Sequence, residues 1–568
     1  MFVPKLVSTL RTYDRRQFVA DLTAGTIVGI VALPLAIAFA IASGVPPERG
    51  LFTAIVAGFL ISALGGSRVQ IGGPTGAFVV IVYGIVQRYG LEGLSAATFM
   101  AGVILVAMGV ARLGTIIKFI PQPLITGFTS GIAIIIFTGQ LKDFFGLTMG
   151  AVPADFVAKI EAYARHATKV NPVALGVALG AMAIIIWWPR VSRRIPSPFV
   201  ALVVTTTLVA FFDLPVETVG SRFGELASSL PRPVVPHLAF ADLQRLVAPA
   251  FTIALLGAIE SLLSAVVADG MIGTRHRSNM ELIAQGVANM ASPVFGGIPA
   301  TGAIARTATN VKSGGRTPVA GMVHALVLLL ITLFFGRLAA LIPMATLAAI
   351  LVVVSYHMSE WRSFLDELRG PRPDIAVLLV TFLLTVLVDL TVAIGVGMVL
   401  ASFLFMHRMS EVTNVSLMTR ELRKDRAADD ERDDAAMDAL DIPDGVDVYE
   451  INGAFFFGAA ETFRDTVNRV TQKPKVLIVR MRHVSLLDAT GLRALRDVVR
   501  RSQQERALVL IAEIHAQPLL TLERSALLDE LGPESIYTTL DDALERARDH
   551  LSSRIPTPPM GTPVSPSS

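Results

Sequence analysis

Two short runs, GGPTGAF at 72–78 and GGIPATGAIAR at 296–306, interrupt an otherwise apolar chain, and one acid, Glu260, stands alone in the middle of another apolar run. The glycine and proline breaks free backbone amides. Unpaired backbone costs several kcal/mol per group inside a bilayer, so a helix broken at membrane depth is tolerated mainly where it lines a polar cavity. Matching breaks in the two halves of a transporter point to its substrate site. The amides of Thr75, Gly76 and Ala77, and of Ala303, Ile304 and Ala305, would then lie at two helix starts facing one cavity. Each start carries roughly half a positive charge and unpaired donors, so together they attract an anion without a buried cation. The plainer alternative is that the small residues only let helices pack closely. Glu260 is costly at such depth and is by default functional; it can hold a proton there and carry it with the substrate. Its plainer role is a structural acid bonded to Arg306 or to a helix end.

Positioning these groups requires helices that span a membrane. From Asp21 to Arg408 the chain is nearly continuous apolar sequence, and at about 20 residues per bilayer crossing it divides into about fourteen segments. The third (76–88) and tenth (302–313) are short, and each follows a Gly/Pro break. They hold equivalent places if the chain splits seven plus seven, and an odd number per half forces opposite orientations, the inverted-repeat arrangement. Basic residues fall on alternate loops: Arg15 and Arg16, Arg112 and Lys118, Arg190, Arg193 and Arg194, Arg275 and Arg277, Lys312 and Arg316, Arg369 and Arg372. The positive-inside rule then puts both termini in the cytoplasm of a multi-pass protein. With Arg11, Arg15 and Arg16 ahead of the first span and no small-residue cleavage pattern, no cleaved signal peptide is expected.

Composition agrees. Mean hydropathy of +0.61 with only 17% charged residues excludes an ordinary soluble globule, while 568 residues leave room for a second domain. No cysteine is present, which removes disulfides and thiolate chemistry. Nothing suggests nucleic acid, a cofactor or a metal, and no nucleophile triad, P-loop or ligand cluster points to an enzyme. The expected division is a transmembrane domain over 1–410, a charged linker over 411–445 containing RELRKDRAADDERDD (420–434), a small α/β domain over 446–552, and a disordered Pro/Ser-rich tail over 553–568.

The runs VALPLAIAFAIASGVPPERGL (31–51), GGSRVQIGGPTGAF (65–78), LGAIESLLSAVVADGMIGTRHRSNMELIAQGVANM (256–290) and FGGIPATGAIARTATNVKSGGRTPVAG (295–321) strongly resemble the sulfate permease (SulP) family of anion transporters. The C-terminal part resembles the STAS domain of anti-sigma-factor antagonists. Within the family, GAIES and ARTATNV look most like the bacterial C4-dicarboxylic acid transporter branch. The resemblance implies an all-α membrane domain of fourteen segments in two intertwined seven-helix inverted repeats, divided into a core and a gate, with the third and tenth helices meeting head to head. It also implies a cytoplasmic α/β STAS domain, a homodimer in the bacterial inner membrane, and an elevator-like motion of the core. Arg306 matches a basic residue many members carry inside the tenth helix, where it would strengthen the positive field or, alternatively, pair elsewhere or snorkel to the surface. Bicarbonate carriers of the family have Asp at the position of Glu260 in a sodium site with a hydroxyl one turn later, which Ser264 supplies here. Many sulfate-transporting members have Gln after the first-helix proline, whereas Leu35 follows Pro34, a wall that suits a carbon-bearing anion. Thr490 in LLDATGL (486–492) matches the position phosphorylated in anti-sigma antagonists; Asp488 and Thr490 also read as helix N-cap chemistry.

The expected function is therefore secondary active uptake of a small anion, a C4-dicarboxylate such as succinate or fumarate moving with protons, the STAS domain serving dimer assembly, regulation or a cytoplasmic partner. The alternative substrate is bicarbonate or sulfate, with sodium as the alternative coupling ion. A passive anion channel and a STAS-linked membrane receptor are the alternatives of other classes. His324 in the eleventh span reads as a packed core histidine, Asp389 as a turn, and Asp269, Arg275, His276 and Arg277 as loop charge.

Overall fold

The computed structural model describes residues 2–418, 442–468 and 474–553, apart from 116–119, 151, 154, 193–194, 225–228, 230–232 and 236–239. The charged run 420–434, the tail from Pro556, and Lys118, Arg193 and Arg194 of the topological count lie outside the described residues. The chain forms two compact units, residues 1–401 and 402–568.

In the first unit a short helix α1 (Lys5–Leu10) precedes α2 (Arg15–Ala42), α3 (Pro47–Leu64), strand β1 (Gly72–Gly73), α4 (Gly76–Val110), α5 (Gln122–Phe144), α6 (Phe156–His166), α7 (Pro172–Val191), α8 (Ser197–Phe211) and α9 (Val219–Phe223). The second half repeats the order with α10 (Phe240–Ile272), α11 (Ser278–Val294), strand β2 (Thr301–Gly302), α12 (Ile304–Lys312), α13 (Pro318–Ala339), α14 (Met344–Met358), the short α15 (Trp361–Glu367), α16 (Arg372–Leu387) and α17 (Leu390–Val412). At Gly90 the backbone turns left-handed (φ 70°) and divides α4 in two, so all fourteen expected segments fall on helix. Starts follow local chemistry: Asp14 caps α2 by accepting from the Gln17 amide at 2.7 Å, and Asn171 and Thr317 cap α7 and α13 ahead of proline at the first helical position.

Packing carries the repeat. α2 rests on α13 as α10 rests on α4; α3 meets α13 as α11 meets α4; α7 meets α14 as α16 meets α5. Each contact thus recurs with its counterpart from the other half. Helices α2, α3, α4, α10, α11, α12 and α13 form one group, and α5, α7, α8, α14 and α16 the other.

The second unit is a five-stranded sheet ordered β3 (Asn414–Met418), β4 (Val446–Asn452), β5 (Val476–His483), β6 (Leu508–Ala512), β7 (Ile536–Tyr537), with β3 antiparallel to β4 and the rest parallel. Successive strand residues face opposite sides. Tyr449, Ile451, Leu477 and Val479 pack under α18 (Phe457–Asn468), α19 (Ala489–Gln504), α20 (Ala516–Arg524) and α21 (Leu527–Leu531), while Val446, Val448, Val476 and Ile478 pack under α22 (Leu540–Ser552). Strand β3 lies inside the expected linker. NVSLM is too short beside its charged neighbours to read as a strand, and only pairing with β4 makes it one.

The fully buried carboxylate of Asp21 ties the two halves. It accepts from the Arg316 amide at 2.9 Å, the Thr317 amide at 3.3 Å, the Thr317 hydroxyl and the Tyr13 phenol. Asp21→Ala leaves these donors unpaired, and at about 1–3 kcal/mol for an unsatisfied buried group the purified protein should unfold at a clearly lower temperature in detergent; an unchanged melting curve would count against this role.

Candidate functional site

The two breaks meet as the smallest possible sheet. Gly72 pairs with Gly302 and Gly73 with Thr301, antiparallel. Beyond the pair the Ala303 amide donates to the Ile71 carbonyl at 2.8 Å, and the Ile71 amide donates to Thr307 Oγ1 at 3.0 Å. Side chains of the surrounding helices meet the remaining groups. Asn310 donates to the Val69 carbonyl and the Thr301 hydroxyl to the Gly257 carbonyl; Asn289 bonds both the amide and carbonyl of Ala300; Thr53 accepts from the Ile298 amide. Glycine is required here for space: a Cβ on Gly302 would stand 1.7 Å from Gln70 Nε2, and one on Gly72 2.3 Å from Ile61 Cδ1.

From this pair α4 and α12 start in opposite directions. Neither start is capped by a side chain, and the Thr75 hydroxyl is buried with no partner among the described residues. Among the described residues no acceptor meets the amides of Thr75, Gly76, Ala77, Ile304 or Ala305, as expected for first-turn groups. The expectation of a free amide at Ala303 is corrected, since that donor is consumed by Ile71. The starts also differ in access. Gly76 is covered by Met358, Ile136 and Phe39, whose atoms would lie 3.2–3.4 Å from a Cβ, whereas Ile304 and Ala305 are exposed.

Arg306 lies between the two starts. It is 2% exposed, donates to the Pro74 carbonyl, and leaves Nη1 without a partner; among the described residues no carboxylate pairs with it. It neither snorkels nor forms the anticipated bond to Glu260. Glu260, on α10, is 8% exposed and has no hydrogen bond or ion pair among the described residues. Ser264, one turn on, is fully buried with its hydroxyl 3.3 Å from that of Thr307. A cation with free valence beside two rows of amide donors can take an oxyanion, and a carboxylate with hydroxyls a turn away can take a proton or small cation.

A cavity of about 1530 Å³ runs along the seam between the two helix groups. Leu35 and Val31 of α2, Phe137 of α5 and Val354 of α14 wall it, and Ala305, Thr309 and Lys312 line it along α12. Of Thr75, Gly76, Ala77, Ala303, Ile304, Ala305 and Arg306, the candidate anion cradle, only Ala305 is among its lining. The frame of Thr53, Gln70, Asn289, Thr301 and Thr307 escaped the sequence reading, because isolated polar residues in apolar helices resemble ordinary small-residue packing.

The other residues resolve as follows. His324 is fully buried, and neither ring nitrogen has a hydrogen-bond partner among the described residues. Asp389 accepts from the Val392 amide and so marks the turn into α17. His276 is more than loop charge: it bonds Asp269 at 2.7 Å and the Ser278 hydroxyl at 2.9 Å. Thr490 is exposed at the start of α19, its amide and that of Gly491 capped by Asp488.

The family model described as the sulfate permease family matches residues 18–381, and the STAS domain model matches 439–543. A Bacillus subtilis (strain 168) protein named putative sulfate transporter YvdB is 41% identical over 532 residues, covering 93% of this chain and 98% of its own length. Bicarbonate transporter BicA of Picosynechococcus sp. is 32% identical over 546 residues, covering 94% and 95%. In fold, the chain superposes on the solved structure of SLC26A9 with a TM-score of 0.85 over 97% of this chain and 93% of that one, at 19% identity.

Gly73 is the position most sensitive to change around Arg306. Its φ is +148° and a Cβ would stand 2.7 Å from Arg306 Nη1. Gly73→Ala should therefore displace the guanidinium and lower stability by about 1–3 kcal/mol, read as a lower melting temperature; a neutral result would show that the arginine is free to move aside.

Proposed function

The chain belongs to the sulfate permease family of anion transporters, and from that membership we propose that it moves a small inorganic oxyanion, sulfate or bicarbonate, by secondary active transport across a bacterial membrane. The observation that carries the reading is Arg306, buried with no carboxylate partner between two uncapped helix starts. A guanidinium fork plus amide donors suits one compact oxyanion. A C4-dicarboxylate would bring a second carboxylate for which the cradle has no second cation, and the relatives' names, sulfate and bicarbonate, favour the inorganic substrate over succinate or fumarate.

In this reading Ala305 meets the anion from the open cavity, the Ile304 amide and the buried Arg306 guanidinium receive it behind Ala305, and Thr75, Gly76 and Ala77 close on it from the other start; Ala303 holds the strand pair. Glu260 is the seat of the coupling cation. Ser264 lies at i+4 on the same face of α10, and its hydroxyl with that of Thr307 gives sodium a set of oxygens, while burial alone suits a proton. The helix group holding the cradle moves against the other in an elevator-like step. The chain acts as a homodimer with both termini cytoplasmic, and the STAS domain, through Thr490 or a bound partner, assists assembly or regulation.

Proteoliposomes holding the purified protein test this with labelled sulfate and bicarbonate under imposed sodium and proton gradients, succinate added as competitor. Saturable uptake of one inorganic anion, driven by one gradient, is expected; uptake of succinate alone would overturn the substrate reading. Arg306→Gln should raise KM about 10–100-fold, the equivalent of about 1.4–3 kcal/mol of a charge-assisted contact. Glu260→Gln should remove the dependence on the driving cation while anion binding persists; an unaltered ion dependence would remove Glu260 from the mechanism.

A further inference from the structure

Lys159 is a second buried cation, and the function described so far does not use it. It lies on α6 and is 6% exposed. No carboxylate pairs with it among the described residues. The nearest acid along the chain, Asp155, is occupied in capping α6 through the Ala158 amide at 2.9 Å. Instead its ammonium stands 5.9 Å from the ring centroid of Tyr83. Burial pushes its pKa below the ordinary lysine value, with Asp155 opposing that shift. Tyr163, one turn on along the same helix face, is also 6% exposed and its hydroxyl has no partner among the described residues. The Tyr83 hydroxyl donates to the Val152 carbonyl at 3.2 Å. A desolvated ammonium and, one turn on along the helix, an unused phenol, both nine-tenths buried, bring positive charge and a free donor to one face of α6, where the nearby carboxylate of Asp143 is already paired with Arg222.

Its place in the fold gives the charge a use. α6 packs on α5 and α16, which belong to one helix group, whereas Tyr83 belongs to α4, in the other. The contact therefore crosses the same seam as the cavity. Tyr83 lies seven residues beyond Gly76, about 10 Å along the helix at 1.5 Å per residue. α12 runs the opposite way to Lys312 and the open cavity. Lys159 thus stands on the closed side of the cradle. We propose that Lys159 and Tyr163, with Tyr83 as the moving wall, form a second station for the travelling oxyanion, which it occupies as α4 shifts past α6 and opens that side. This inference rests on the oxyanion-transport reading above.

The chain contains no cysteine, so Lys159→Cys introduces a unique thiol into the full-length protein in proteoliposomes. KM for sulfate or bicarbonate should rise about 10-fold with a smaller change in maximal rate. Aminoethyl methanethiosulfonate, whose disulfide with the thiolate releases methanesulfinate and restores an ammonium, should return KM toward the original value. The sulfonatoethyl reagent should not, and added substrate should slow both reactions. An unchanged KM, or a loss equally indifferent to both reagents, overturns the station. Tyr163→Phe removes only the hydroxyl and should raise KM severalfold at an unaltered melting temperature; an unaltered KM there overturns it even if the cysteine variant does not fold. Failure of the transport reading would show separately, as an unsubstituted protein that takes up neither anion.

Discussion

Water is absent from the middle of a bilayer, so every backbone amide and carbonyl there must find a partner in the protein or be put to use. The two breaks violate helix continuity at that depth, and the remainder of the first unit can be read as the answer to that violation. Part of the answer is mutual: β1 and β2 satisfy one another across the twofold relation of the repeats. Part is borrowed from side chains, with Thr53, Asn289, Thr307 and Asn310 each spending a polar group on backbone. Among the described residues, amide donors remain over in the first turns of α4 and α12, where an anion could complete them.

Charge near these two helix starts is arranged in the same spirit. Arg306 carries a full charge into the interior, and an arginine there would ordinarily be matched by an acid. Glu260 is the acid at hand, yet the two do not bond. Keeping them apart preserves both valences. A closed Arg–Glu pair would neutralise the cradle and occupy the carboxylate, leaving neither an anion site nor a cation site. Two separate, individually unfavourable charges would each be stabilised by an ion of opposite sign, which under the proposed reading is a physical basis for coupling their movements.

Much of this was legible in the sequence because it rests on features that are local and repeated. Fourteen apolar runs, two Gly/Pro breaks and a lone acid each show in a window of a few residues, and every expected segment falls on a helix. What escaped depends on distant pairing. The Ala303 amide looks free until Ile71, more than two hundred residues earlier, is placed opposite it. The partners of Thr53 and Thr307 lie 245 and 236 residues away. β3 exists only because β4 lies beside it. His276 reads as one charge among several until Asp269 and Ser278 are seen on either side of its ring.

The width of the cavity also bears on where selection occurs. At about 30 Å³ per water, about 1530 Å³ holds tens of molecules, so in the proposed reading an anion entering past Lys312 would travel largely hydrated between apolar walls such as Val31 and Leu35. In that setting charge is screened and one anion differs little from another. The two helix starts are tighter: Phe39, Ile136 and Met358 press on Gly76, and the guanidinium of Arg306 is sealed in. Under the proposed reading, discrimination would belong to the step in which the anion exchanges its last waters for amides and the guanidinium. A vestibule walled largely by apolar side chains suits that step, because a pathway must bind strongly enough to admit an ion and weakly enough to release it. Leu35 in place of a polar residue fits such a vestibule whichever oxyanion is carried, so that wall position argues for passage rather than for a particular substrate.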